Sequence, residues 1–121
     1  MAPTGADGSP VVRLGARAVG QGHPPYVVAE LSANHGGSLD LAEEVIRLAA
    51  AAGADAVKLQ TYTPDSMTLD LAEPPFVVGP GTLWEGRTLY DLYREAQTPR
   101  AWHARLFELA ADLGLQCFST P

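Results

Sequence analysis

The chain has 121 residues, 46% of them hydrophobic, with a formal net charge of −6; that is enough apolar surface for a modest core and is not the composition of a disordered tail. Its eight basic residues are scattered rather than gathered in a stripe, which argues against nucleic acid as a partner because phosphate contacts dominate that kind of binding. No run of about 18 apolar residues occurs, and MAPTGADGSP lacks the order of a signal peptide, so neither a membrane nor export is expected and the default location is cytoplasmic.

Residues 1–10, rich in Gly, Pro, Ser and Ala, are expected to be disordered, and residues 11–121 to fold. VVRLG and ARAVG flank Gly15 as the arms of a hairpin, before QGHPP breaks the chain. PYVVAELS is the first strong strand, apolar on consecutive residues as in a parallel sheet covered on both faces. It delivers Glu30, Ser32, Asn34 and His35 just before the glycine pair Gly36 and Gly37. Ser38 then caps a helix with Leu41, Val45, Leu48, Ala49 and Ala52 on its apolar face, Asp40 in its first turn and Gly53 as its stop.

AVKLQTY is a second buried strand, and the succession strand, helix, Gly, strand marks a βαβ unit with parallel pairing. The stretch from Thr63 to Gly86 is too long for an ordinary connection and reads as a functional loop. Thr88 caps a short helix with Leu89, Leu92, Tyr93 and Ala96 on one side. Thr98, with Pro99 at the first helical position, caps a further helix whose stripe is Trp102, Leu106, Leu109, Ala110 and Leu113, ended by Gly114. LQCFSTP is the third strand. Its Cys117 is the single cysteine, so there is no internal disulfide framework and no Cys-based zinc site, and a small hydrophobe in a strand is its simplest role.

Three strands with crossovers do not complete a fold, since a (β/α)₈ barrel takes about 250 residues. The expected class is α/β: the N-terminal part of such a barrel, about three strands of it, preceded by a short β-hairpin. In barrels of this kind the reacting groups gather at the C-terminal strand ends, here Glu30 with Ser32 and Asn34, Lys58 with Gln60, and Ser119 with Thr120. Lys58 is the one lysine beside seven arginines and lies inside an apolar run. Either its side chain snorkels out, or it reaches a site where an anion or carbonyl waits. Strand alternation sends Glu30 and Ser32 to one side, and likewise Lys58 and Gln60, so these pairs can share the barrel interior. That set suits an anionic substrate and a polyol: Lys58 for phosphate or carboxylate, Gln60 and Asn34 for hydroxyl or acetamido groups, Glu30 as acid, base or cation stabiliser.

AELSANHGGSLDLA, GADAVKLQTYTPDSMTLD, GTLWEGRTLYDLYREAQTP and FSTP, in that order, resemble the N-terminal part of the sialic acid synthase family. The match runs from about Val11 to Pro121. The AE, NH, VK-x-Q and STP elements are common to the neuraminic and legionaminic acid synthases, whereas LWEGRTLYDLY resembles the pseudaminic branch. The resemblance implies a complete enzyme with a (β/α)₈ barrel and a C-terminal antifreeze-like domain absent from these residues. It implies condensation of phosphoenolpyruvate with 2,4-diacetamido-2,4,6-trideoxy-L-altrose to a nine-carbon α-keto acid, a nonulosonic acid of the kind used in flagellin glycosylation, with release of phosphate. In that chemistry the alkene carbon attacks the open-chain aldehyde, which a divalent metal (Mn²⁺ or Mg²⁺) polarises, water adds to the resulting cation, and phosphate leaves by C–O cleavage. A homodimer is implied for the full-length protein.

Carried over by position, the resemblance makes Glu30 the strand-one carboxylate near the reacting carbons, Lys58 a phosphoenolpyruvate anion contact, Gln60 a sugar contact and Thr120 a phosphoenolpyruvate contact, with Asn34 and Ser119 as further substrate-binding candidates. The family's metal-binding histidines lie on later strands, so His23, His35 and His103 are not assigned as ligands. His35 is expected to be a loop hydrogen-bonder, and His103 to lie on a solvated helix face. Trp84, Leu89 and Leu92 either pack a short helix on the barrel or belong to a sugar-specificity element. Other readings are a neuraminic or legionaminic acid synthase, a Schiff-base aldolase with Lys58 as nucleophile, and a truncated piece without catalysis.

Overall fold

The computed structural model describes residues 4, 5 and 8–120. Its elements run β1 (Val11–Leu14), β2 (Arg17–Gly20), β3 (Val28–Ser32), α1 (Leu39–Ala51), β4 (Ala56–Gln60), α2 (Pro64–Met67), α3 (Leu89–Ala96), a 3-10 turn (Arg100–Trp102), α4 (His103–Asp112) and β5 (Gln116–Thr120). Of the first ten residues, expected to be disordered, 1–3, 6 and 7 lie outside the described residues, as does Pro121. Within the rest, Thr4 pairs with Pro10 in an antiparallel bridge and the Gly5 N–H donates to the Ser9 carbonyl at 2.8 Å, so this part is held in a turn.

β1 and β2 form the expected hairpin, Leu14 opposite Arg17. Gly15 turns it with φ +59°, a left-handed conformation open to glycine. Arg17 pairs with Asp55, whose other carboxylate oxygen accepts from the Val27 N–H at 2.8 Å. One aspartate thus ties the hairpin to the start of β3 and the entry to β4.

β3, β4 and β5 make a three-stranded parallel sheet in that order. Alternation divides it: Leu31, Val57 and Leu59 turn to the side where Ala42 and Ile46 of α1 and Leu106, Leu109 and Ala110 of α4 complete the core. The opposite side carries Glu30, Lys58 and Phe118. An α/β fold with a parallel sheet is therefore present.

Two helical expectations need correction. The cap of α1 forms as read, Ser38 Oγ accepting from the Leu41 N–H at 3.2 Å, but the apolar face is rotated. Ala42 and Ile46 are fully buried, whereas Leu41 and Leu48 are 42% and 61% exposed. An alanine-rich helix carries adjacent stripes of similar hydrophobicity, and only packing against the sheet selects one. Thr98 is not the cap of α4. It is buried with its hydroxyl on His35, and the helix starts at His103 after the 3-10 turn, without a side-chain cap. Glu43 joins α1 to α4 by accepting from Arg105 at 2.7 and 3.2 Å, and from Arg47 at 2.7 Å; these guanidinium groups hold its carboxyl below the usual range.

The long loop folds back on itself. Val77 bridges Thr88, and the Leu89 N–H donates to the Phe76 carbonyl at 2.8 Å. Thr88 caps α3 as expected, accepting from the Asp91 N–H at 3.1 Å. The Tyr90 hydroxyl donates to Asp65 at 3.1 Å, linking α3 to α2.

Candidate functional site

Parallel pairing sets Glu30 opposite Lys58, with Nζ 2.7 Å from Oε1. The Lys58 side chain is 25% exposed and that of Glu30 55%, so the ammonium runs along the open sheet face to a carboxylate instead of being buried among apolar groups. After Glu30 the register slips, and Ser32 takes φ +55°, a left-handed conformation that non-glycine residues seldom adopt. The slip leaves Leu31 in the core and lets Ser32 Oγ donate to Gln60 Oε1 at 3.1 Å. Gln60 stands level with Thr120 on β5. Two rungs therefore lie side by side at the carboxyl ends of the strands, one charged (Glu30, Lys58) and one neutral (Ser32, Gln60, Thr120). A fixed cation beside a carboxylate and several hydrogen-bonding groups can hold an anion and stabilise charge that develops next to it.

Asn34 and Ser119 do not join this group. Asn34 is exposed and its Nδ2 donates to the Leu31 carbonyl at 3.2 Å, closing the turn after β3. Ser119 is level with Leu59 and so faces the helices, where its Oγ lies 2.6 Å from Thr61 Oγ1. His103, expected on a solvated face, instead turns inward with Nε2 2.6 Å from Thr61 Oγ1. The reason is the late start of α4, which puts His103 in the first turn, against the end of β4.

His35 is a loop hydrogen-bonder, as expected. It is fully buried, its Nδ1 accepts from the Gly37 N–H at 3.1 Å, and Nε2 lies 3.1 Å from Thr98 Oγ1. Since Nδ1 accepts, the proton sits on Nε2 and is donated to Thr98. Trp102 meets the ring edge-on at 5.1 Å. Burial lowers the His35 pKa. Gly37, at φ +73°, adopts the backbone that aims its N–H back at the ring.

Beside the strand ends lies a cleft of about 360 Å³ lined by Ala33, Gly36, Tyr62, Trp84, Leu92 and Tyr93, among others. The rings of Tyr62 and Tyr93 meet edge to face at 5.6 Å, and burial, with Tyr93 alongside, raises the Tyr62 phenol. The sequence pattern singles out Trp84 but not Tyr62. Its place two residues beyond Gln60, where the chain leaves β4, was the available signal.

Among the described residues no cluster of three or more His, Cys, Asp or Glu is arranged to hold a metal ion, and both nitrogens of His35 are already engaged. No helix of the described residues is long and apolar enough to cross a membrane.

Residues 45–121, from the middle of α1 through β5, match the NeuB family. The chain belongs to that family. It is 56% identical over 98 residues to a pseudaminic acid synthase of Helicobacter pylori and 52% identical over 96 residues to one of Campylobacter jejuni. Against an N,N'-diacetyllegionaminic acid synthase of Legionella pneumophila the identity is 36% over 98 residues. The matches cover 81%, 79% and 78% of this chain, which spans only 28%, 28% and 26% of those proteins. A crystal structure of the N-acetylneuraminic acid synthetase of Leptospira borgpetersenii, solved with citrate, superposes on this NeuB-family chain with a TM-score of 0.73 at 27% identity, over 93% of this chain and 34% of that one.

Proposed function

We propose that these residues form the first strands of a (β/α)₈ barrel that condenses phosphoenolpyruvate with 2,4-diacetamido-2,4,6-trideoxy-L-altrose, giving pseudaminic acid and phosphate. The higher identity to pseudaminic acid synthases, 56% and 52% against 36% for the legionaminic acid synthase, supports that sugar over its relatives. The observation that carries the chemistry is the pairing of Lys58 with Glu30 at 2.7 Å on the open face of the sheet.

In this reading Lys58 binds the phosphoenolpyruvate anion. Attack of the alkene carbon on the sugar aldehyde forms the new C–C bond, the aldehyde oxygen takes up a proton, and positive charge develops on the enol carbon, where the Glu30 carboxylate stabilises it. Water adds to that carbon, and C–O cleavage releases phosphate and leaves the keto group. Gln60 and Thr120 supply hydrogen bonds to the two substrates. The aromatic cleft, with Trp84 and Tyr93 in its wall, accommodates the acetamido methyls and the deoxygenated carbon of the sugar by apolar contact. Among the described residues none are grouped to fit a divalent metal, so we assign its ligands to residues outside them. The same reading carries a cytoplasmic homodimer for the full-length protein, a product destined for flagellin glycosylation, and no turnover by the 121 residues alone.

A Schiff-base aldolase is less well supported. Lys58 is a quarter exposed and already donates to Glu30, without the desolvation that such a nucleophile requires.

The test is phosphate release from phosphoenolpyruvate by the full-length protein, with the bis-acetamido altrose and with N-acetylmannosamine. Turnover of the altrose, reduced about 100-fold or more in kcat/KM by Lys58→Ala, is the expected result. Preference for N-acetylmannosamine would overturn the sugar assignment, and full activity in the variant would overturn the role of Lys58.

A further inference from the structure

Thr61 just beyond β4, His103 at the start of α4 and Ser119 in β5 form a chain of hydrogen bonds on the helix side of the sheet. Ser119 Oγ donates to the Thr120 carbonyl at 3.0 Å, so toward Thr61 Oγ1, 2.6 Å away, it accepts. The single hydroxyl proton of Thr61 is thereby committed, and toward His103 Nε2, also 2.6 Å away, Thr61 accepts in turn. Nε2 must then carry the ring proton. His103 Nδ1 is buried and without a partner among the described residues, and the ring stacks on Phe107 at 6.4 Å.

The chain ends on the Thr120 carbonyl, which also accepts from the Thr61 N–H at 2.8 Å. Two donors on one carbonyl tie that end of β5 to the chain leaving β4, and alternation sends the Thr120 side chain to the face shared by Lys58 and Gln60. We propose that His103 is a positioning residue: through Thr61 and Ser119 it fixes the carboxyl end of β5 and aims Thr120 at the bound phosphoenolpyruvate. The identity of that ligand rests on the function proposed above, whereas the relay itself rests on the geometry.

The test uses the full-length protein with Thr61→Val, Ser119→Ala, His103→Phe and His103→Gln, the last placing an amide nitrogen where Nε2 stood. The three relay-breaking variants are expected to raise KM for phosphoenolpyruvate about tenfold, with kcat and the KM for the amino sugar changed by less than about twofold; His103→Gln recovers to within about threefold. Unchanged KM, or kcat and both KM values moving together with a lower melting temperature, would overturn the proposal. Should His103→Phe fail to fold, Thr61→Val and Ser119→Ala carry the same comparison. Nitrogen-15 spectra of His103 in the unmodified protein give a readout independent of turnover: a proton on Nε2 is required, and an Nδ1–H tautomer with a bare Nε2 refutes the relay. Absence of phosphate release with the Nε2–H tautomer present would instead overturn the assigned ligand.

Discussion

Burial of His35 between the Thr98 hydroxyl and the Gly37 amide makes its protonation state part of the fold. Its folded pKa lies below the ordinary 6.5, so the unfolded chain binds a proton more readily. The stabilisation is therefore complete above pH 6.5 and is lost as pH falls from there through the folded value. Urea unfolding midpoints should drop between about pH 7.5 and about pH 5, and this pH difference should shrink in His35→Phe, which itself costs about 2 kcal/mol by stranding the Thr98 hydroxyl and the Gly37 N–H. Glu43 acts in a separate window: its depressed carboxyl contributes above the ordinary 4.5 and loses that contribution only as pH falls below it. Cys117 is a quieter case. Burial pushes its thiol from 9.0 up to about 11, which cuts the thiolate fraction by roughly 100-fold at neutral pH. Iodoacetamide should label it at least about tenfold faster in unfolding concentrations of urea than in buffer; equal rates would show that the thiol is not shielded.

At the scale of elements, α1 separates what a pattern announces from what packing selects. Its cap was legible, because Ser38 acts on an amide only three positions away. Its rotation was not, because the same turns offer Leu41 and Leu48 as well as Ala42 and Ile46, and only the sheet distinguishes them. Substitution gives a direct contrast. Ile46→Ala should cost about 2–4 kcal/mol in chemical denaturation and Leu48→Ala less than about 1 kcal/mol, with Ser38→Ala near 1 kcal/mol. Equal losses at positions 46 and 48 would mean that the helix packs on the face read from periodicity. Thr98 went astray for a related reason. A threonine before a proline has the signature of a cap, yet its hydroxyl serves a histidine 63 positions earlier.

For the whole molecule, the sheet has α1 and α4 on one side, while on the other Val28 and Phe118 are 40% and 42% exposed. β3 and β5 each pair with β4 alone among the described strands. Parallel sheets are stable when both faces are covered. If these strands belong to a barrel, the full-length protein covers that face and pairs those edges. The 121-residue chain alone should then melt at least about 10 °C below the full-length protein in scanning calorimetry, and its outer β3 and β5 amides should exchange faster; equal melting would count against barrel closure.

The sequence by itself determined the order and type of the elements other than α2 and the 3-10 turn, the hairpin, the parallel sense of the later strands, and the delivery of Glu30, Lys58, Gln60 and Thr120 to strand ends. Strand and helix periods, caps and glycine stops act across a few residues and are written there. Tertiary structure alone decided that Lys58 meets Glu30, that Ser32 turns left-handed to reach Gln60, that Tyr62 walls a cleft with Trp84 and Tyr93, and that His103 faces inward to Thr61. These contacts join residues as far apart as 28 positions for Ser32 and Gln60, and 42 for Thr61 and His103. They depend on strand register and helix rotation, which are set only when the core closes.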